Sequence, residues 1–86
     1  MSTTAERVRG ILNQHAKLSA DARKLEETAD LYAVGLSSFS TVQLMLALEE
    51  HFDVELPDRM LNRRSFESIA SISNVIDAVI GDRVAG

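Results

Sequence analysis

The chain has 86 residues, no cysteine and no tryptophan, a formal net charge of −4, and 45% apolar residues against only 5% aromatic ones. That length supports one small domain with an aliphatic core, burying only roughly 60% of the surface its unfolded chain exposes. The absence of cysteine excludes disulfides, thiolate catalysis and thiolate metal sites, and the acidic balance weighs against nucleic acid as a partner. Any thiol chemistry therefore needs a thiol brought by a cofactor.

Residues 1–10 lack the apolar stretch of a signal peptide, and no run approaches the ~20 apolar residues that span a bilayer. A cytoplasmic monomer with no membrane partner is the expectation. Thr3 and Glu6 stand at capping-box spacing, and Val8, Ile11, Leu12 and Ala16 then recur with helical period. This predicts a first helix over about 4–17, with Arg7, Arg9, Asn13 and Gln14 on its opposite face. Between 18 and 36 no single period holds Leu18, Leu25, Leu31 and Val34 together. So long a loop either contains some helix, with 20–27 the candidate, or is pinned to the core by its leucines.

Gly35 breaks the chain and Ser37 stands next in a good N-cap position. Phe39, Val42, Leu44, Met45, Leu46, Leu48 and Phe52 then outline a strong second helix over about 38–51. Apolar residues on more than one of its faces mean either full burial or a stripe left for a partner. Residues 53–57 read as an extended link, and Pro57 suits the first turn of a short helix over about 58–62. Ser68 caps a last helix over about 69–80, with Ile69, Ile72, Val75, Ile76, Val79 and Ile80 as its stripe and Gly81 as its stop. The expected fold is a single all-α domain over 1–86, a small four-helix bundle of three longer helices and one short one.

The most informative stretch is Asp30-Leu31-Tyr32-Ala33-Val34-Gly35-Leu36-Ser37-Ser38-Phe39-Ser40-Thr41-Val42-Gln43-Leu44. It resembles the phosphopantetheine attachment site of the acyl carrier protein family, where a Gly-x-Asp-Ser-Leu turn opens a helix that continues Thr-Val-Glu-Leu. Matching Thr41-Val42-Gln43-Leu44 to that pattern puts Ser38 on the attachment serine, Ser37 on the capping Asp and Phe39 on the usual Leu. The resemblance runs on through Leu46 to Glu50, Phe52 to Pro57 and the 66–80 segment, and so covers nearly the whole chain. It implies a bundle of acyl-carrier type that bears 4'-phosphopantetheine, drawn from coenzyme A, on Ser38, with Ser37 and Gly35 shaping the turn. The implied partners are a phosphopantetheinyl transferase, an acyl- or amino acid-activating ligase, and downstream enzymes that use the cargo.

The residues themselves agree with a modified rather than a catalytic serine. A serine hydroxyl is a weak nucleophile, and neither a histidine nor an acid adjoins Ser38 in sequence, so its activation falls to another protein. A phosphodiester there would sit at a helix N-terminus, which favours an anion. Taken alone, a glycine and two serines before an apolar run are also ordinary capping chemistry. The runner-up reading is thus an unmodified helical interaction module using the Phe39, Val42 and Leu46 face. A nucleic-acid binder using Arg59, Arg63 and Arg64 ranks last, because of the acidic balance.

Departures from the family pattern bear on the partners. Ser37, Ser40 and Gln43 stand where the family has acids, Glu49 and Glu50 remain, and Arg59, Arg63 and Arg64 reverse the usual sign of the short helix. Such a pattern steers encounters away from the basic-patched enzymes of fatty acid synthesis. The Ser37-Ser38-Phe39 variant looks like that of stand-alone aminoacyl carrier proteins, loaded by ligases resembling aminoacyl-tRNA synthetases. The expected docking residues are Phe39, Val42, Leu46, Glu49, Arg59 and Arg63. His15 and His51 read as surface residues. Asp53, Glu55 and Asp58 lack calcium-loop spacing, so no metal site is expected, and with neither a phosphate-binding glycine loop nor a catalytic constellation no enzyme is expected.

Overall fold

A first helix, α1 (Thr4–His15), opens where the Thr3 hydroxyl accepts the N–H of Glu6, one half of the expected capping box. The computed structural model describes residues 3–85, and within them α1, α2 (Ser38–Phe52) and α3 (Ile69–Ala85) are the α-helices, with no strand. Short 3₁₀ turns at Ala22–Lys24, Asp58–Met60 and Arg63–Phe66 complete the fold. α1 packs against both other helices. Val8, Ile11 and Leu12 from α1 meet Leu44, Leu48 and Phe52 from α2 and Ile69, Ile72 and Ile76 from α3 in one aliphatic core.

α1 ends at His15 rather than at 17, because Ala16 turns to extended backbone while its N–H still closes on the Leu12 carbonyl. The long loop after it has both devices the sequence allowed. It contains the 3₁₀ turn at Ala22–Lys24, and it buries Leu31 and Leu36, with Leu18 and Leu25 partly buried. Leu31 N–H donates to the Glu67 carbonyl at 2.8 Å and Ala70 N–H to the Glu27 carbonyl at 2.9 Å, which ties the loop to the start of α3.

The polar face of α1 holds the same loop. Arg9 donates through Nη1 to the carbonyls of Ala22 (2.7 Å) and Leu25, and Asn13 exchanges hydrogen bonds with Ala22 N–H and the Asp21 carboxylate. Arg9→Ala leaves two partly buried carbonyls without their donor and is expected to cost about 1–3 kcal/mol in denaturant unfolding. Lys24→Ala, an exposed change nearby, stays within about 0.5 kcal/mol. Equal costs for the two would refute the pinning role. The Asp21 carboxyl accepts the Arg23 N–H and the Asn13 amide, and these bonds hold its pKa below the ordinary value. Because the folded value is the depressed one, this contribution is present above the ordinary carboxylate pKa and lost as pH falls through the folded one.

After α2, Asp53 adopts the left-handed conformation (φ 53°) that ends the helix, and the Glu49 carboxylate accepts the Leu56 N–H at 2.9 Å. The segment expected as a short helix over 58–62 is instead two 3₁₀ turns. Leu61 (φ −90°, ψ 71°) and Asn62 (φ −138°, ψ 165°) leave helical space between them, and the Asn62 side chain caps the second turn through Ser65 N–H. Among the described residues there are therefore three α-helices where the sequence suggested four. α3 also runs through Gly81 to Ala85 instead of stopping there. One interior glycine costs only about 1 kcal/mol relative to alanine, and no proline stands beyond it to end the helix. Among the described residues no helix is long and apolar enough to cross a membrane.

Candidate functional site

The turn into α2 builds the site. Val34 and Leu36 N–H both return to the Leu31 carbonyl, and Gly35 N–H donates to the Tyr32 carbonyl, so the chain doubles back tightly before the helix. Gly35 sits at φ 108°, where side-chain-bearing residues are strained. A Cβ there would meet nothing closer than 3.5 Å, so the backbone angle and not crowding selects glycine.

Ser37 is the N-cap. Its hydroxyl accepts the Ser40 N–H, and the Ser40 hydroxyl accepts the Ser37 N–H at 2.8 Å, a reciprocal capping box. Thr41 reinforces it by donating its hydroxyl to the Ser37 carbonyl at 2.7 Å. Ser40, which the family pattern casts as a lost acid, is thus a nearly buried capping residue. Its position three residues after Ser37 is the signal, obscured by the expectation of Glu or Gln in a capping box. Ser38, the first helical residue, is exposed, and its hydroxyl makes no hydrogen bond among the described residues. The adjacent serines therefore divide two tasks: one shapes the helix start and the other presents a hydroxyl.

Ser38 helps to line an open groove of about 570 Å³. Thr41, Val42 and Met45 of α2 form one wall, and Tyr32, Leu61, Arg63 and Phe66 form the other. The Tyr32 hydroxyl donates to the Arg63 carbonyl at 2.8 Å, while the Arg63 guanidinium lies 3.9 Å from the centre of the tyrosine ring. Burial raises the Tyr32 phenol pKa, against the opposing pull of the Arg63 cation. No local pattern signals this pairing, because residues 31 positions apart meet only through the loop and the second 3₁₀ turn.

The expected docking residues separate into two groups. Phe39 (75% exposed), Val42 (51%) and Leu46 (53%) form an apolar strip on the outer side of α2, while Leu44, Leu48 and Phe52 are buried behind it. Glu49 faces inward enough to hold the Leu56 N–H, and Arg59 reaches Asp82 at 3.5 Å with both side chains well exposed. A pair so exposed contributes little. Arg64 is exposed, as are His15 and His51, and His51 accepts the Arg7 Nε–H. No group of three or more His, Asp or Glu that could hold a metal occurs among the described residues.

An exposed hydroxyl lining a groove with mixed apolar and polar walls fits a covalently tethered arm. The groove volume lies within the roughly 300–1,000 Å³ range of small-molecule sites. The phosphopantetheine attachment site family matches residues 6–79 of this chain. An aminoacyl carrier protein of Agrobacterium fabrum is 45% identical over 78 residues, spanning 91% of this chain and 94% of that protein. Among solved structures, the crystal structure of engineered Bradyrhizobium japonicum glycine:[carrier protein] ligase complexed with carrier protein from Agrobacterium tumefaciens and ATP contains a similar chain. That similarity has a TM-score of 0.84 at 45% identity, covering 88% of this chain and 99% of the other. A solution structure from Agrobacterium tumefaciens matches with a TM-score of 0.75 at 43% identity, covering 95% and 99% of the two chains. A family match over residues 6–79, together with a relative 45% identical over most of the chain, makes the chain a member of the phosphopantetheine-binding carrier protein family.

Proposed function

We propose that the chain is an aminoacyl carrier protein that bears 4'-phosphopantetheine on Ser38. One observation supports the choice of serine above the others. The Ser37 hydroxyl is committed to the Ser40 N–H, whereas the Ser38 hydroxyl is exposed beside the groove. With no base beside it, Ser38 loses its proton only to a transferase that brings coenzyme A. The serine oxygen bonds to phosphorus as the nucleotide portion of coenzyme A leaves. When bound, the arm supplies a thiol that holds cargo as a thioester. The protein itself contributes position and local concentration, not catalysis. Intact mass before and after incubation with coenzyme A and a broad-specificity transferase tests this reading. A gain of one phosphopantetheinyl group is expected, and no gain beside a control carrier that reacts would sink it.

The aminoacyl cargo is inferred from the Agrobacterium relatives, one named as an aminoacyl carrier and another associated with a glycine:[carrier protein] ligase. A comparable amino acid-activating ligase is the proposed loading partner, together with an enzyme that takes the aminoacyl group from the thioester. The proposed location is the cytoplasm, where coenzyme A and aminoacyl adenylates are available to such partners. Phe39, Val42 and Leu46 form the proposed docking strip, since exposed large apolar side chains clustered on one helix mark partner surfaces. An aromatic anchor at an interface centre carries upwards of about 1 kcal/mol. Phe39→Ala, converted to the holo form first, is therefore expected to raise the KM for ligase-dependent loading about tenfold. Its unfolding stability stays within about 0.5 kcal/mol, because the side chain is exposed. Unchanged loading kinetics would remove Phe39 from the interface.

A further inference from the structure

Apart from the Ser38 hydroxyl itself, the polar side chains lining the groove are, with one exception, already engaged. Ser37 and Thr41 are committed to the helix cap. The Asn62 side chain donates to the Arg59 carbonyl and accepts from Ser65, and the Tyr32 hydroxyl donates to the Arg63 carbonyl. The exception is the Arg63 guanidinium. Its Cζ lies over the Tyr32 ring, 3.9 Å from the ring centre, but its N–H groups donate to nothing and meet no carboxylate among the described residues. A cation is thus held in a groove that Ser38 also lines, beside a ring that is itself hydrogen-bonded to the Arg63 backbone. The neighbouring arginines differ. Arg59 is drawn to Asp82, and Arg64 is not part of the groove wall.

We propose that Arg63 is the chain's own contact for the phosphodiester that joins the arm to Ser38, held in place for that anion by Tyr32. This rests on the carrier reading above. A guanidinium presents paired N–H donors that match phosphate oxygens, and such charge-assisted bonds are about twice as strong as neutral ones. Stacking on an aromatic face leaves that donor edge available while limiting the side-chain freedom lost on binding. Arg63 thereby directs the attached arm along the groove towards Met45 and Leu61, and does not leave it sweeping freely through solvent.

The test compares isotope-labelled apo and holo protein by NMR, with conversion monitored by intact mass. Conversion is expected to shift the Arg63 Nε–Hε resonance and to leave that of Arg64 in place. In the holo variants, Arg63→Gln moves the phosphorus resonance, Arg63→Lys moves it less, and Arg64→Gln leaves it unchanged. An Arg63 signal that is the same in apo and holo protein overturns the proposal. So does a phosphorus resonance no more sensitive to Arg63→Gln than to Arg64→Gln, even if Arg63→Gln slows loading by a partner. The wild-type comparison decides the matter even if a variant fails to fold. A wild-type protein that gains no mass brings down the carrier reading as well, whereas a mass gain with an unmoved Arg63 signal removes this proposal alone.

Discussion

Ser38→Ala is expected to gain no mass with coenzyme A and a transferase that fully converts the wild-type chain, while Ser37→Ala is still converted. The two serines are adjacent, yet the structure gives them unequal chemistry. Ser37 is an N-cap whose hydroxyl satisfies Ser40 N–H, and removing it costs about 1 kcal/mol of helix stability without removing an attachment point. The Ser38 hydroxyl makes no hydrogen bond among the described residues, so on the proposed attachment its removal costs the fold little and abolishes loading. Thermal unfolding of both variants separates these roles: Ser37→Ala melts lower, and Ser38→Ala melts near the wild type. Mass gain in Ser38→Ala together with none in Ser37→Ala would reverse the assignment. Mass gain in neither the variants nor the wild type would favour an unmodified interaction module using the α2 strip.

Sequence alone suffices where a single local rule decides the outcome. The isoleucines at 69, 72 and 76 recur at helical spacing and are buried as that spacing requires. Gly35 and Ser37 match a turn and a cap whose chemistry is local, and both serve those roles. It no longer suffices where long-range contacts decide. Arg9 looks like a solvated residue on a polar face, yet it reaches across to two loop carbonyls that no periodicity reveals. Arg63 looks like one of several surface cations until the loop brings Tyr32 beneath it. The segment expected as a short helix carries helix-compatible residues, but Asn62 leaves helical space to cap the Arg63–Phe66 turn and so divides the segment in two. Within the site, the turn proposed for attachment is legible in the sequence, and the groove wall opposite is not.

Leu31→Ala tests whether the long loop is part of the folded core or drapes over it. Leu31 has no exposed surface, its N–H is bonded to Glu67, and its carbonyl receives the N–H groups of Val34 and Leu36. One residue therefore joins the core, the start of α3 and the turn that leads into Ser38. Truncating a buried leucine removes transfer energy and leaves a cavity, at a cost of about 2–5 kcal/mol. Small domains hold only about 5–15 kcal/mol in total, so the variant is expected to be marginally folded. Leu46→Ala, also a leucine truncation but at an exposed position, is expected to change stability by less than about 0.5 kcal/mol. Denaturant unfolding of the pair measures the contrast, and hydrogen exchange locates it. The amides of Leu31, Val34 and Leu36 should open well before those of Leu44 and Leu48, because the loss falls on the loop before it spreads through the helices. A Leu31→Ala cost below about 1 kcal/mol would mean that the loop contributes little to the core, and the fixed position of Ser38 would then have to come from the α2 cap alone.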